Sequence, residues 1–420
     1  MGSGFPPGTI PARGFDWERV VFLPRRVGEF ADLRYGKSLV ESKRTSGSVP
    51  VYGTNGRCGW HNEGLRPGPG VILGRKGQGP LGVEWCSSPF WVIDTAYFAT
   101  VSEDVDLKWF YYIVKYVGLN HLKSGEKPGL QRDTFRAQLF PFPPKDVQTE
   151  IAHLLSALDS KIVSNRDVNT TLEALSTGLF ESWFSNFDPV AAKRDGRIPV
   201  GVPGNAIDLF PSHFGDSELG PIPQGWRVVS LDSVADFLNG LALQRYPSRN
   251  GDVLPVIKIA ELRAGNSVGA DLCGGVPPEY IIDDGDVIFS WSGSLLVDVW
   301  CGGKGALNQH LFKVTSREVP KWFYLAWLNE HLPEFQAIAA DKATTMGHIR
   351  RFHLTEAKVL LPPEPLMKAM TTVQQPLVDQ IIHNRLESRS LAALRDTLLG
   401  PLLSGELTIK SAENSVGAPL

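Results

Sequence analysis

The feature that most constrains the fold is an internal repeat of about half the chain. Blocks of similar sequence recur in the same order, and the distance between matching blocks varies only between 204 residues (31 to 235) and 219 residues (162 to 381) in the 420-residue chain. The sequence therefore predicts two copies of one unit of roughly 200 residues. The matching pairs include "ADLRYG" (31–36) with "ADFLNG" (235–240), "GVILGRKG" (70–77) with "DVIFSWSG" (286–293), "KWFYY" (108–112) with "KWFYL" (321–325), and "IVSNR" (162–166) with "IIHNR" (381–385).

Each copy has a strand-rich part followed by a helical part. The first part is rich in Gly, Pro and short β-type runs such as "GVILG" and "DVIFSW", which is typical of a mixed, mostly β domain. The second part follows Pro-Pro in both copies and changes to a helical period. The predicted fold class is α+β, with two pseudo-symmetric, mostly β domains joined by two long antiparallel helices. The predicted segments are a first domain at 15–145, a first spacer helix at 146–186, a linker at 187–224, a second domain at 225–361 and a second spacer helix at 362–407.

The two predicted helices carry a narrow apolar seam, meaning residues that repeat at intervals of three or four. A coiled coil buries such a seam, and a polar residue within it can fix register and orientation. Asn165 and Asn384 occupy matching places in the two copies. We therefore expect the helices to pair with each other; in the alternative, each helix packs on its own domain and its Asn faces water. The predicted seam residues are Leu158, Ile162, Asn165, Leu172, Leu377, Ile381, Asn384 and Leu391.

The expected length of these helices has a consequence for function. The first could run from Val147 to Phe184, which is about 57 Å at 1.5 Å per residue. The second carries Pro376, which should start or kink it, and Gly400-Pro401, which should stop it. A helical bar of roughly 40–60 Å could hold two domains over sites a turn or more apart on B-DNA, whose turn is about 34 Å.

Composition limits the class of protein. The formal net charge of -3 argues against non-specific coating of nucleic acid, because that binding depends on many Lys and Arg residues. A localised basic face is compatible with this charge. The chain has no apolar run of about 18 residues and no apolar stretch near its start, so we predict a cytoplasmic protein without a membrane partner. The four cysteines show no CxxC spacing, which fits a reducing compartment.

No enzyme motif is complete in this sequence. The nearest approach to a Walker A motif is "ADLRYGKS" (31–38), which has Ala31 where the first glycine is required. An "NPPY"-type methyltransferase motif is absent. The cysteines suggest matched pairs, Cys58 with Cys273 and Cys86 with Cys301, but two ligands are half of a structural zinc site, so we expect buried core cysteines. The sequence thus predicts no catalytic residue, no metal and no cofactor in this chain.

The segment between the copies carries a resemblance to a known family. "LFPSHFGDSELGPIPQGW" (209–226), together with "GRKG" and "FWVIDTAYF" (90–98), closely resembles the specificity subunit of type I restriction-modification systems, over about residues 16 to 407. The resemblance implies a non-catalytic subunit in which each domain is a target-recognition domain that reads one half of a split double-stranded DNA target. It also implies that the spacer helices set the gap and dock two methylation subunits, and that a separate restriction and translocase subunit joins them.

The resemblance also implies cofactors, and two alternative functions remain open. S-adenosylmethionine, ATP and Mg are expected on the partner subunits. One alternative is a DNA-recognition subunit of another methyltransferase-based phage-defence system, which would differ only in its partners. A more distant alternative is a free-standing enzyme or a carbohydrate-binding repeat protein, for which no complete motif is present.

Candidate DNA contacts are polar and cationic residues in turn-rich loops, because Arg and Lys bind phosphates while Arg, Asn and Gln can also read bases. Arg75 and Lys76 are the favoured single residues. The loops before the spacer helices add Lys123, Lys127 and Arg132 in the first copy and Lys342, His348, Arg350 and Arg351 in the second. The main candidates are Lys37, Lys43, Arg44, Tyr52, Asn55, Arg57, Arg75 and Lys76 in the first domain, and Arg245, Lys258, Arg263, Ser292, Ser294, Lys304, Asn308 and Gln309 in the second.

The two domains differ most where bases would be read. "GRKG" in the first copy is "SWSG" in the second, and "DTAYF" is "NQHLF". A phosphate-cleaving loop would be expected to lose its function with that exchange, whereas a recognition loop on a duplicated scaffold need only change its target. The sequence therefore predicts an asymmetric DNA target, with Arg75 and Lys76 contacting the first half-site.

Overall fold

A computed structural model of the chain describes residues 5–77, 79–124, 128–202, 204–248, 253–341 and 347–416. The chain divides into two compact units. Unit 1 comprises residues 1–161 and 391–420, and unit 2 comprises residues 162–390. Each unit therefore contains one strand-rich domain and a part of both long helices.

The first half of the chain contains short strands followed by a long helix. Its strands are β1 (Ile10–Pro11), β2 (Pro24–Arg26), β3 (Ala31–Tyr35), β4 (Val49–Gly53), β5 (Gly56–His61), β6 (Gly70–Gly74), β7 (Val83–Cys86), β8 (Trp91–Val92), β9 (Ala96–Val101), β10 (Lys123–Ser124), β11 (Gly129–Leu130) and β12 (Gln138–Pro141), and its helices are α1 (Leu107–Val117), α2 (Arg132–Arg136) and α3 (Lys145–Phe180).

The second half repeats this order. Its strands are β13 (Phe214–Gly215), β14 (Ile222–Pro223), β15 (Arg227–Ser230), β16 (Asp236–Asn239), β17 (Leu254–Ile257), β18 (Leu272–Cys273), β19 (Ile281–Ile282), β20 (Val287–Ser290), β21 (Leu296–Val299), β22 (Gly305–Leu307), β23 (Leu311–Thr315) and β24 (Lys358–Leu361), and its helices are α4 (Asp188–Arg194), α5 (Leu231–Val234), α6 (Ile259–Ala264), α7 (Lys321–Asp341), α8 (Arg351–Glu356), α9 (Glu364–Ser404) and α10 (Ile409–Val416).

The sheets confirm the predicted duplication. In unit 1 an antiparallel sheet has the order β3-β9-β6-β7, and in unit 2 its equivalent has the order β16-β23-β20-β21. A second sheet, β5-β4-β8 in unit 1 and β18-β17-β22-β19 in unit 2, contains a parallel pair in both copies. The α+β fold class with two pseudo-symmetric domains is therefore confirmed.

Helix α1 forms the centre of the apolar core in unit 1. The Asp106 side chain accepts hydrogen bonds from the backbone N–H groups of Lys108 and Trp109, which caps the helix start. Trp109 and Phe110 behind this cap are completely buried, and burial of each such side chain contributes roughly 1.5–3 kcal/mol. The equivalent α7 buries Trp322 and Phe323 in the core of unit 2. The shared "KWFY" block is thus a core element of the duplicated domain.

The two spacer helices, α3 and α9, pair in antiparallel directions as predicted. In unit 2, Nδ2 of Asn165 donates to the Asn384 carbonyl oxygen at 3.3 Å and to Oε2 of Glu387 at 2.7 Å. Nearer the end of α3, Oγ of Ser176 donates to Oε1 of Gln374 at 2.7 Å. In unit 1, Arg395 donates to Asp159 at 2.6 Å. The partner numbers fall as α3 advances, which defines the antiparallel direction.

The seam is a mixture of apolar and amide side chains. Leu158, Ile162, Asn165, Ile381 and Asn384 are buried. Asn169, which is not among the predicted seam residues, adds a further amide. Its side chain accepts from Nδ2 of Asn384 at 2.8 Å and donates to the Ile381 carbonyl oxygen at 3.1 Å. The remaining predicted seam residues are half-buried: Leu172, Leu377 and Leu391.

The expectation that Gly400-Pro401 stops the second spacer helix was wrong, and Pro376 does not start that helix. α9 contains 41 residues without a break at Pro376, and it continues beyond Gly400-Pro401 to Ser404. Tertiary packing overrides the local signals. A Cβ on Gly400 would lie 2.6 Å from the Tyr116 hydroxyl, so glycine permits close packing here. Leu402 and Leu403 beyond it are buried in the core of unit 1.

We expect Asn384→Ala to lower the free energy of unfolding by about 2 kcal/mol, because it leaves Oδ1 of the buried Asn169 without its hydrogen-bond donor. Asn384 also accepts from Nε2 of Gln380 at 2.7 Å. Denaturant unfolding measures this effect. The matched control is Asn329→Ala on the exposed face of α7, for which we expect a change below about 0.5 kcal/mol. Equal effects of the two substitutions would contradict a structural role for the amide network.

Candidate nucleic-acid interface

The loop after β6 presents two cationic side chains on a tight turn. A Cβ on Gly74 would lie 2.0 Å from the Thr54 carbonyl oxygen, so only glycine fits at the start of this loop. Gly77 at its other end has a φ of 132°, which side chains other than glycine rarely adopt. Arg75 and Lys76 lie between these glycines. The local sequence therefore fixes the position of both residues at the end of the sheet.

The guanidinium group of Arg75 lies close to two tyrosine rings. Its guanidinium carbon lies 4.6 Å from the ring centroid of Tyr35 and 5.5 Å from that of Tyr97. Nη1 of Arg75 donates to the Asp94 carbonyl oxygen at 2.9 Å. Burial raises the pKa of the Tyr97 hydroxyl, and a hydrogen bond with Tyr35 raises it further. The planar cation is therefore held against two aromatic rings, as suits recognition of a phosphate or a guanine.

An open groove of about 730 Å³ lies beside Arg75. Side chains from four separate segments of the sequence meet in it, and most of them are cationic, aromatic or amide groups. Such a lining combines phosphate-binding charge with groups that can read base edges. The principal lining residues are Tyr35, Arg75, Lys76, Tyr97, Gln131, Arg132 and Arg136, which we call the unit 1 groove.

One carboxylate holds the arginines of the unit 1 groove in place. Asp32 accepts from Nη2 of Arg132 at 2.9 and 3.2 Å, and its oxygens lie 3.5 Å from Arg34 and 3.7 Å from Arg136. Partial burial of Asp32 opposes its ionisation, but the hydrogen bonds from Arg132 and the Leu33 N–H lower the pKa of this carboxyl below its usual value. Three arginines share one negative charge, so the surface stays locally basic in a chain of net charge -3.

The second wall of the groove comes from the segment before the first spacer helix. Lys76 and Gly129 form a β-bridge, and the Leu130 N–H donates to the Arg75 carbonyl oxygen at 2.8 Å. Nζ of Lys123 donates to the Gly79 carbonyl oxygen at 2.5 Å. The sequence reasoning included Arg132 and Lys123 here. Tyr35, Gln131, Arg136 and Arg34 were not predicted, and the polar run "LQRDTFR" (130–136) was the available signal for Gln131 and Arg136.

Unit 2 builds a different surface at the equivalent place. Trp291 follows β20 at the position where Arg75 follows β6, as the registers of the two sheets show. Nε1 of Trp291 donates to Oδ1 of Asn239 at 2.9 Å. The Trp291 ring also lies 6.0 Å from the His310 ring and 6.2 Å from the His348 ring. Arg351 lies 5.8 Å from the ring centroid of Phe312. Aromatic and imidazole groups thus replace the cation-lined centre of the unit 1 groove.

The other predicted residues fall into smaller groups. Lys258, Asn308 and Gln309 line one cavity of about 250 Å³, and Arg263 and Ser294 line another of about 370 Å³. Lys258 also pairs with Asp271 at 2.5 Å, and Arg57 lies 4.6 Å from the ring centroid of Trp60. Lys127 and Lys342 lie outside the described residues. Other predicted residues with exposed side chains are Lys37, Lys43, Asn55, Arg245, Lys304 and Arg350.

Four of the predicted contacts are engaged within the protein. Tyr52, Ser292 and Asn308 are buried, with 8%, 3% and 5% of their surfaces exposed. Ser292 is hydrogen-bonded to His310 at 2.8 Å, and Nη1 of Arg44 donates to the Cys58 carbonyl oxygen at 2.8 Å. These contacts tie Ser292 and Arg44 to the scaffold, and Tyr52 and Asn308 present little surface to solvent. Direct DNA contact by any of them stays a prediction.

The cysteines do not form the matched pairs expected from the sequence. Cys273 in β18 pairs with Leu254 in β17. The equivalent position in β5 is His61, which pairs with Val49 in β4. Cys58 is exposed, so the expectation of a buried cysteine is wrong there, whereas Cys86, Cys273 and Cys301 are buried. Within the described ranges, no three His, Cys, Asp or Glu side chains are grouped as a metal site would need. No helix of the described chain has the length and apolar character of a membrane span.

Comparisons with known proteins agree with this architecture. A family model described as the type I restriction modification DNA specificity domain matches residues 22–174. The MjaIX type I restriction enzyme specificity subunit of Methanocaldococcus jannaschii is 24% identical over 292 residues, which cover 67% of this chain and 64% of the relative. The HindI specificity subunit of Haemophilus influenzae is 22% identical over 338 residues, which cover 68% of this chain and 72% of that relative.

The match to the MjaIX subunit thus spans slightly less than two thirds of its length. A crystal structure of the type I restriction-modification S subunit from M. genitalium aligns over 94% of this chain and 99% of that chain, with a TM-score of 0.60 and 14% sequence identity. This structural likeness extends the similarity of fold to both copies of the repeat.

Proposed function

We propose that the chain is a type I restriction-modification DNA specificity subunit, as the family model over residues 22–174 and the similar specificity subunits indicate, and that it recognises a split, asymmetric double-stranded DNA target for partner enzymes. One observation carries this proposal. A duplicated scaffold presents the arginine-lined unit 1 groove in one copy and a tryptophan and histidine surface at the equivalent place in the other. Two domains of the same fold with different reading surfaces are suited to two different half-sites.

The proposed role of this chain is binding, and the chemistry belongs to its partners. Two methylation subunits would carry S-adenosylmethionine, and a restriction and translocase subunit would use ATP and Mg. Support for a docking role comes from apolar side chains that remain exposed on the first spacer helix. Val163, Val168 and Leu175 have 52%, 43% and 50% of their surfaces exposed. Such side chains on a water-facing helix are suited to contact with another subunit.

The spacer helices are proposed to set the unspecified gap between the half-sites. α3 has 36 residues and α9 has 41, which correspond to about 54 and 61 Å of helix. Their amide and ion-pair contacts fix one antiparallel register. A fixed register supports a gap of constant length, because a sliding pair of helices would give several lengths.

The test is selection of DNA duplexes from a random pool by the chain assembled with its methylation subunits. The proposal predicts enrichment of two different half-sites separated by a constant number of unspecified base pairs. Enrichment of a continuous motif would contradict the proposal. So would the absence of any enriched motif when the complex is assembled and binds S-adenosylmethionine. Binding should also weaken with rising salt, since the groove cations displace counterions from phosphates.

A further inference from the structure

One residue stands at the same place beside the reading surface of each unit. In unit 1 the Leu130 N–H donates to the Arg75 carbonyl oxygen at 2.8 Å, and the next residue is Gln131. In unit 2 the Ile349 N–H donates to the Trp291 carbonyl oxygen at 3.0 Å, and the next residue is Arg350. The β-bridges Lys76 to Gly129 and Ser292 to His348 are equivalent as well. Backbone contacts of the same kind therefore place Gln131 and Arg350.

The residue that follows is an arginine in both copies, and both arginines are engaged within their own domain. Arg132 binds the Asp32 carboxylate at 2.9 Å and lies 5.6 Å from the ring centroid of Tyr35. Nη2 of Arg351 donates to the Phe237 carbonyl oxygen at 3.1 Å. Arg132 and Arg351 thus anchor the segment to the domain in both copies. They do not distinguish one half-site from the other.

Gln131 and Arg350 differ from those anchors in two respects. Their residue types diverge between the copies, and both side chains are exposed. Across the described parts of the chain, neither side chain makes a hydrogen bond or an ion pair, and Gln131 lines the unit 1 groove beside Arg75. Each one is therefore a polar group with free donors, held by fixed backbone next to the reading surface.

We propose that Gln131 reads an adenine of the first half-site and that Arg350 reads a guanine of the second, an inference that rests on the proposed function. In the major groove the Gln amide matches N6 and N7 of adenine, and the Arg guanidinium matches O6 and N7 of guanine. A good bidentate pair favours the right base by roughly 5- to 150-fold. Gln131 and Arg350 are thus specificity-determining residues at equivalent positions of two different half-sites.

The experiment is duplex selection by the assembled methyltransferase with Gln131→Arg or Arg350→Gln. For Gln131→Arg we expect one adenine of the first half-site to become guanine, with the second half-site unchanged. For Arg350→Gln we expect one guanine of the second half-site to become adenine. Gln131→Ala should lose discrimination at the same single position. The matched controls are Gln224→Arg and Arg317→Gln, exposed residues of unit 2 away from the reading surface, and they should leave the motif unchanged.

The outcomes separate this inference from the proposed function. If the Gln131→Arg and Gln131→Ala variants both bind DNA and keep the wild-type motif, the assignment of Gln131 is overturned while the proposed function stands. The Arg350→Gln variant tests the assignment of Arg350 in the same way. If the wild-type complex enriches no motif at all, the proposed function itself fails. A change at the same position in both halves would also overturn the assignment, because each residue should affect one half-site only.

Discussion

Removal of one turn from each spacer helix is expected to shorten the unspecified gap by about two base pairs and to leave the bases of both half-sites unchanged. Deletion of residues 160–163 together with 390–393 removes the part of each helix that lies in sequence between the Asp159 to Arg395 ion pair and the Asn165 to Glu387 hydrogen bond. Four residues correspond to about 6 Å of helix, and one base-pair step of B-DNA is about 3.4 Å. The residues proposed to read the two half-sites lie outside these segments, so the bases should stay the same.

This deletion is designed to keep the contacts that fix the helix pair. The Asp159 to Arg395 ion pair in unit 1 and the contacts of Asn165 with Asn384 and Glu387 in unit 2 all remain. Duplex selection measures the gap in the motif. As a control, deletion of 160–163 alone should abolish specific binding, because it breaks the register of the pair. A paired deletion that folds and retains the wild-type gap would refute the spacing role of the helices.

The second large effect is expected for Arg75→Ala, which should weaken binding of the preferred duplex by about 10- to 100-fold. Alanine removes the planar cation that lies over Tyr35 and Tyr97. Arg75→Lys should recover only part of the affinity, because an ammonium group keeps the charge but lacks the two-pronged donor geometry. Binding of the assembled complex to a labelled duplex at one fixed salt concentration measures both effects.

The control for Arg75→Ala is Arg26→Ala, which removes an exposed arginine from β2 of the same unit and does not alter the groove. We expect Arg26→Ala to weaken binding less than about threefold. Thermal unfolding of both variants should show that each one folds. If Arg75→Ala binds as tightly as Arg26→Ala, the unit 1 groove is not the reading surface of the first half-site.

The duplication and the helix pair could be predicted because both leave a direct trace in the sequence. Matching blocks such as "KWFYY" and "KWFYL" carry the core of each domain, and amphipathic periodicity marks a helix whatever its partner is. The length of α9 could not be predicted in the same way. Pro376 and Gly400 oppose a helix locally, and only the packing of residues far along the chain compensates for them.

The candidate site was predictable only in part. The Arg75 and Lys76 loop is visible because its glycines and cations are adjacent in sequence. The groove beside it depends on the β-bridge between Lys76 and Gly129, which joins segments 53 residues apart (129 minus 76). No local pattern encodes that pairing, so Gln131 and Arg136 were missed. Burial was equally hidden, since the turn-rich surroundings of Tyr52 gave no sign that its ring packs in a core.

A genome-wide map of methylated adenines, made in cells that co-express the chain with its methylation subunits, tests the central claim most directly. The account predicts methylation within one split motif that has two different half-sites and a constant unspecified gap. Methylation within a continuous motif, or no methylation when the partner subunits are active, would contradict it.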